Sequence, residues 1–486
     1  MRASSIGRDF WFWWRPAFAL DLRSLAVFRV ALGIFLLVDL TSRLGDFSAH
    51  YSDQGVMSVE SADDFSGAAI LFPLHHIHHG DTWQQAVFLL GILLAIGIIA
   101  GLGTRFCLVG AWLLVNGIHA RNPLVLYGAD THLVVMLLWS CFLPLDRCWS
   151  WTAWKSGRPE THRVQSVASV AYVLQIAVIY WFSFMSKSGE AWRSGEALKI
   201  ALQLDAYVSE AGRFLASQTH WLGPLNWLTL IAEALAPILL LGPLRWMRVA
   251  AVGLIAGLQL GFAVFMDLGL FPYVSLVALI PLVWVGHDLA QGDKGKLAAQ
   301  PSPWGPWSEY VAGILLMGML LWNISVSQVA FQRTRLKARL SDAVVWVAEV
   351  FRLDQSWSMF SPDPPLEDGW LVVEARLGDG RTIDLLTSEP VSWEKPQSIT
   401  QRLGGDRWKA YLLNLVQRNL SWKAVVRYWV REWERRNPDG PVLETVRVVL
   451  MQETYSTESL VEAQPLELYQ SSRIDELQLP ARPPHE

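Results

Sequence analysis

Residues 167–198 read VASVAYVLQIAVIYWFSFMSKSGEAWRSGEAL. Up to Met185 the run holds no Asp, Glu, Lys, Arg or His, and its length approaches the ~20 residues a helix needs to cross hydrocarbon. Lys187, Glu190, Trp192, Arg193 and Glu196 then follow in quick succession, so an ammonium group sits where an apolar span meets water. Two fates are open to that lysine. Its four-carbon stem can reach the lipid headgroups and leave the charge in water, as lysines at membrane helix ends commonly do. If neighbouring spans enclose it, desolvation favours the uncharged amine, and the lysine becomes a base.

The rest of the chain agrees with a membrane setting. Hydrophobic residues make up 52%, charged residues 17%, and mean hydropathy is +0.27, too apolar for an ordinary soluble protein of 486 residues. With 40 basic and 44 acidic residues the net charge of -4 excludes a general attraction to nucleic acid. Cys107, Cys141 and Cys148 form no CxxC, so neither a disulfide framework nor a dithiol centre is encoded. Many of the 26 tryptophans, including Trp11, Trp13, Trp14, Trp149, Trp151, Trp154, Trp221, Trp227, Trp304 and Trp307, gather near span ends, as an interfacial belt requires.

The fold expected is mainly α: a polytopic membrane helical bundle followed by a small α+β extracytoplasmic domain. Residues 1–23 surround an aromatic cluster with arginines and read as an interfacial segment that stays attached. A transmembrane domain follows over 24–330, with about nine spans near 24–44, 84–102, 105–118, 131–145, 167–185, 226–241, 247–266, 268–285 and 311–329. The loop 44–83 is acidic, with no Lys or Arg after Arg43. Arg105, Arg147, Lys155, Arg158, Arg163, Arg245, Arg248, Lys294 and Lys296 all fall on the opposite side, which places the amino terminus in the cytoplasm. An odd span count puts residues 331–470 outside. Arg333, Arg335, Lys337 and Arg339 vote the other way, but long domains cross regardless of charge. Within 331–470 an amphipathic helix (341–353), a hairpin around Gly378-Asp379-Gly380, helices near 406–419 and 422–436 and a strand at 443–455 are expected. Residues 471–486 read as a disordered tail.

Polar groups inside or beside the spans are the candidate site. Arg29, Asp39 and Glu233 lie within spans, where a charge is costly unless it faces a partner or does work. His119, Arg121, Asn122, Asp130 and His132 crowd one outer boundary, a site wall or a capped, water-exposed turn. Asp267 occupies a tight outer reversal, and Glu190, Trp192 and Gln259 complete the group around Lys187. His75, His76, His78 and His79 have metal-ligand spacing on a helix, though no Cys or fixed carboxylate completes a set, and an exposed polar turn is the alternative.

Six segments together resemble the horizontally transferred transmembrane (HTTM) domain family, related to the vitamin K-dependent gamma-carboxylases. They are FRVALGIFLLVDL (28–40) with HYSDQGVMS (50–58), RNPLVLYGAD (121–130), FLPLDRCWSW (142–151), YWFSFMSKSGEAWRSGEAL (180–198) and MDLGLFPYVSL (266–276), in order. WSMFSPDPPLEDGWLVVEARLGDGR (357–381) is similar to the extracytoplasmic module of many bacterial members. The resemblance implies a bacterial inner or cell membrane location. In the carboxylase branch it implies Lys187 as the catalytic base, a quinone or reduced vitamin K-like lipid as cofactor, and a secreted peptide or protein as substrate. Ala129-Asp130-Thr131-His132 stands where the carboxylases carry an Asn-His pair, and Gln259 where they carry a late-span His. Two readings follow: an enzyme with a quinone-lipid pocket lined by Lys187, His132, Asp130 and Arg29, or a non-catalytic membrane scaffold or maturation and export partner of a secreted peptide.

Overall fold

Each of the nine apolar runs forms a helix: α1 (Leu22–Gly45), α2 (Asp81–Ala100), α3 (Thr104–Arg121), α4 (Gly128–Ser140), α5 (Val167–Ser186), α6 (Thr219–Leu240), α7 (Arg245–Phe265), α8 (Phe271–Val283) and α9 (Trp307–Val326). These come from a computed structural model, which describes residues 15–59, 61–62, 74–78, 80–156, 163–283, 304–326, 342–455 and 460–471. The expected interfacial segment up to residue 14, His79, Arg158, Lys294, Lys296, residues 333–339 and the tail beyond 471 lie outside the described residues. Six helices, α1, α2, α5, α6, α7 and α9, are long and apolar enough to cross a membrane. The others fall short for local reasons. The expected span 131–145 stops as α4 at Ser140, a few residues before Pro144, whose ring disfavours helical backbone in the residue before it.

Local chemistry sets the helix ends. Asp21 caps α1 by accepting the Arg23 N–H at 2.8 Å, and Ser166 caps α5 by accepting the Ser169 N–H at 3.2 Å. Between α2 and α3 the chain reverses at Gly101, held left-handed at φ 71°, where a side chain would also collide with Arg29 and Ser150. α1 packs on α2 and α8, α4 on α3, α5 and α8, α5 on α6 and α9, and α7 on α6 and α8. α4 is buried on every side, as a helix apolar all round must be. α2 and α7 instead expose Leu89, Leu90, Leu93, Ile96, Val249, Leu260 and Val264, a belt suited to lipid.

The Val167 N–H donates to Glu309 Oε2 at 2.7 Å, which brings the first turns of α5 and α9 together and makes them parallel. Beyond α9 the described residues resume with a short helix, Asp342–Val350, packed on α9. It then threads back between α3, α4 and α5. Phe351 stacks on Trp112 with ring centroids 5.8 Å apart. Gln355 exchanges bonds of 2.7 and 3.2 Å with Gln175 in the middle of α5, while Trp139 and Trp357 donate to the same pair at 3.2 and 3.0 Å. Irregular backbone survives at that depth because protein, not lipid, surrounds it and satisfies its polar groups.

A four-stranded antiparallel sheet follows, in the order β2 (Thr382–Asp384), β1 (Glu367–Leu377), β3 (Leu443–Tyr455), β4 (Leu460–Ser471). Gly378 to Gly380 make the expected hairpin, pairing Ala375 with Ile383, and β3 covers the expected strand. Helices α10 (Asp406–Gln417) and α11 (Lys423–Arg436) pack with it. β4, LVEAQPLELYQS, lies at the sheet edge, where the missing N–H of Pro465 does least harm.

Candidate functional site

α5 ends at Ser186, and Lys187 is its C-cap. The chain then turns under the loop that leads into β1. Gly189 N–H donates to Pro362 O at 3.0 Å, Ala191 N–H to Asp363 Oδ1 at 2.9 Å, and Trp192 Nε1 to Phe360 O at 2.8 Å. Position 189 must be glycine for this approach, since a Cβ there would collide with the Asp363 carboxylate.

This turn seals the lysine in. Lys187 is 8% exposed, so its ammonium does not reach solvent. Nζ donates to both Glu233 oxygens at 2.8 Å and to Ser183 Oγ at 2.6 Å, and lies 5.3 Å from the centre of the Trp192 ring. Ser183 Oγ in turn donates to Glu233 Oε1 at 3.0 Å. Glu233, in the body of α6, thus has the partner its depth demands. Gln259 of α7 donates through Nε2 to Tyr180 Oη at 2.9 Å. These side chains surround a cavity of about 50 Å³, room for a few waters. A buried ion pair is weak evidence for stability, because desolvating both charges offsets their attraction.

Asp39 and Asp130 belong to a different cluster. Arg43 Nε donates to Asp39 Oδ2 at 2.8 Å, its Nη2 to Asp130 Oδ1, and its Nη1 to Tyr51 Oη at 2.7 Å. Arg407, on α10, reaches into the same place, donating to Asp39 Oδ1 at 2.6 Å and Asp130 Oδ2 at 2.7 Å with its plane 4.7 Å from the Tyr127 ring centre. His119 Nε2 accepts from Arg43 at 3.1 Å. Two guanidinium groups face two carboxylates, so the cluster is closed and locks α10 onto the bundle. Beside it, burial followed by the charges of Arg407 and Arg43 pushes the His50 pKa down to about 3, keeping that ring neutral.

His132 lies between the two clusters. Its Nδ1 is 3.2 Å from Ser275 Oγ, and its ring packs against Trp357 and Phe271 at centroid distances of 5.8 and 6.3 Å. Phe271, Trp357, Met359 and Phe360 also wall the Lys187 cavity and, on their other side, a larger cavity of about 570 Å³ between bundle and module. That volume falls in the range of ligand sites, whereas the lysine cavity alone does not. Asp267 lines the larger cavity, accepting from Thr400 Oγ1 at 2.6 Å and paired with Lys409 at 3.3 Å.

The remaining candidates are placed elsewhere. Arg29 donates to Trp149 O at 2.6 Å beside Gly101, at the far end of the bundle from Lys187. Arg121 donates to Met57 O and Ser52 O at 2.9 and 2.8 Å, and Asn122 Oδ1 accepts the Leu124 N–H at 3.2 Å, a helix cap; both organise the first loop. Glu190 is exposed. His75 and His76, in the four-residue helix Leu74–Ile77, have ring centroids 4.6 Å apart with planes tilted by 40°, and His78, just past that helix, lies 6.2 Å from the Trp83 ring. Among the described residues no group of His, Cys, Asp and Glu could hold a metal. Sequence reasoning missed Arg43, Arg407, Ser183 and Tyr180; the Asp39 to Arg43 spacing of four was the one available signal.

A comparison with protein families matches the HTTM domain over residues 18–285, more than half of the chain. No curated protein and no solved structure matches. An apolar helical bundle and a family match that runs from α1 through α8 agree: the chain is an integral membrane protein that belongs to the HTTM domain family.

Proposed function

We propose that this chain is a carboxylase-like membrane enzyme in which Lys187 is the base toward a quinone-type lipid and the substrate is an extracytoplasmic peptide or protein. The observation that carries the reading is the Lys187 ammonium, 8% exposed and held on Glu233, at the wall of a small cavity that shares Phe271, Trp357, Met359 and Phe360 with a larger one of about 570 Å³. In this reading the chain makes nine passes with its amino terminus in the cytoplasm, and the module carrying β1 to β4 is outside.

An aromatic lipid head finds flat apolar walls in Phe271, Trp357 and Phe360, which the larger cavity shares with the small one that Lys187, Glu233 and Gln259 line. A reduced quinone supplies an acidic hydroxyl and the electrons it carries. Glu233, which accepts from Nζ through both oxygens at 2.8 Å, is placed to take a proton from the ammonium. The freed Lys187 amine then accepts the hydroxyl proton. The aromatic wall keeps water from competing for it.

A scaffold reading draws support from the closed cluster of Arg43, Asp39, Asp130 and Arg407, which accounts for these charges at the bundle end without chemistry. Lys187→Ala separates the two. Loss of function with normal insertion and folding supports the base; full function with alanine at 187 removes the enzyme reading.

A further inference from the structure

α11 carries two cations that the described residues leave unanswered. Arg427 and Arg431 stand one turn apart on one face of that helix, the spacing at which like charges repel. The Arg427 Nε is buried without a hydrogen bond, and Arg427 forms no ion pair among the described residues. Arg431 has only a backbone carbonyl, Gln54 O. Carboxylates close by are engaged elsewhere: Glu432 accepts from Arg435 and Arg436 at 2.6 and 2.8 Å, and Arg407 is the counter-charge acting on Asp46. A guanidinium partly withdrawn from water without a partner is costly, and it marks a place for an anion.

α1 indicates what kind of molecule brings that anion. Ile34, Val38, Thr41 and Gly45 fall on one exposed stripe of the helix, at alternating spacings of four and three. On a membrane helix such a stripe faces acyl chains. Ser48, exposed and just past the end of α1, has its Oγ 3.4 Å from Tyr428 Oη, and Tyr428 shares its face of α11 with the two arginines. Chains lying along the stripe therefore end beneath Arg427 and Arg431. The approach is open, since a Cβ on Gly45 would meet no atom within 4 Å. A soluble anion or an acidic peptide would leave the stripe unused, whereas a phospholipid uses both the stripe and the charges.

We propose that Arg427 and Arg431 clamp the phosphate of an anionic phospholipid whose chains lie along the exposed stripe of α1, so that the module is tethered to the leaflet at its own end of the bundle. Two guanidinium groups against one phosphate leave the site positive. It therefore selects a headgroup that adds no cation, such as glycerol, over one that carries choline. The site is independent of the chemistry at Lys187 and stands whether or not that lysine is a base.

The test is native mass spectrometry of the full chain in detergent with equal amounts of phosphatidylglycerol and phosphatidylcholine, which counts the lipid that stays bound. Wild type is expected to retain phosphatidylglycerol in preference. Arg427→Gln and Arg431→Gln should each weaken it by about fivefold, and the double variant by about 25-fold, with phosphatidylcholine unchanged. Lysine at both positions should keep most of the affinity, because the charge remains. Gly45→Phe leaves both arginines in place but fills the approach, and it should lose phosphatidylglycerol to a similar extent. Millimolar inorganic phosphate should leave the lipid bound. The proposal is overturned if wild type holds the two lipids alike, or if the double glutamine variant keeps phosphatidylglycerol as wild type does. It also fails if inorganic phosphate displaces the lipid while Gly45→Phe changes nothing, which would mark a site for free anions, or if the double variant loses a dimer instead of a lipid.

Discussion

The Lys187–Glu233 pair makes a quantitative claim that can be checked without knowing a substrate. Lys187→Met deletes an ammonium that makes three bonds of 2.6 to 2.8 Å, and leaves the Glu233 carboxylate with only the Ser183 hydroxyl. Breaking a buried pair from one side costs about 3–5 kcal/mol, because the survivor stays desolvated and unpaired. Glu233→Gln strands the ammonium in the same way and costs a similar amount. The double variant strands nothing, and it is expected to lose no more than either single one. The coupling energy is then about 3–5 kcal/mol, at or above the upper end of what neighbouring residues show. Equilibrium unfolding of the four proteins in mixed micelles measures it. Strictly additive losses, or a silent Lys187→Met, would show that the amine is not enclosed as described and would take the base reading down with it.

Three further outcomes follow from the same geometry. Arg407→Met leaves Asp39 and Asp130 sharing Arg43 alone, so it is expected to cost about 3–5 kcal/mol and to free α10 for proteolysis. Arg407→Lys should rescue little, since one ammonium cannot span two carboxylates bonded at 2.6 and 2.7 Å. Gly189→Ala forces Asp363 off the Glu190 and Ala191 N–H groups and should lose about 1–3 kcal/mol; Asp363→Ser should absorb most of that loss, a non-additivity read from unfolding midpoints. Asp368, at the start of β1, has its pKa raised to about 6, by burial first and by Asp205 among the smaller causes, against the pull of backbone donors. A raised carboxyl is better tolerated protonated, so its penalty is absent below its unfolded value near 4 and grows as pH climbs through 6. Asp368→Asn should therefore be the more stable protein at pH 7.5, by about 1–2 kcal/mol, with the advantage gone near pH 4; an advantage constant across that range would contradict the assignment.

What the sequence made legible was whatever depends on neighbours along the chain. Apolar runs gave the nine helices, and the change of composition at Lys187 located the lysine at the bundle end that carries the module. The hairpin at Gly378 to Gly380 and the strand ending at Tyr455 follow from turn chemistry and alternation. What stayed hidden depends on partners far away. Asp39 and Arg407 are 368 positions apart, and nothing in DRWKAYLLNLVQ says that its arginine leaves the module for the membrane boundary. Phe351 to Leu353 read as the end of an amphipathic helix, yet the helix stops at Val350 and the chain re-enters the bundle, where Gln355 pairs with Gln175, a buried amide in α5. The expected single pocket of Lys187, His132, Asp130 and Arg29 likewise assumed that polar groups near a membrane boundary converge. They divide instead by charge balance: Asp130 and Asp39 are fully neutralised by two arginines, Arg29 caps the opposite end, and Lys187 is left with one carboxylate. That division sharpens the chemistry. A proton can move between Lys187 and Glu233 without disturbing the cluster that holds the module, because the two share no atom. His132 meets Phe271, Trp357 and Ser275 rather than the pair itself, so in the proposed reading its replacement should alter ligand fit at the aromatic wall before it alters proton transfer at the pair.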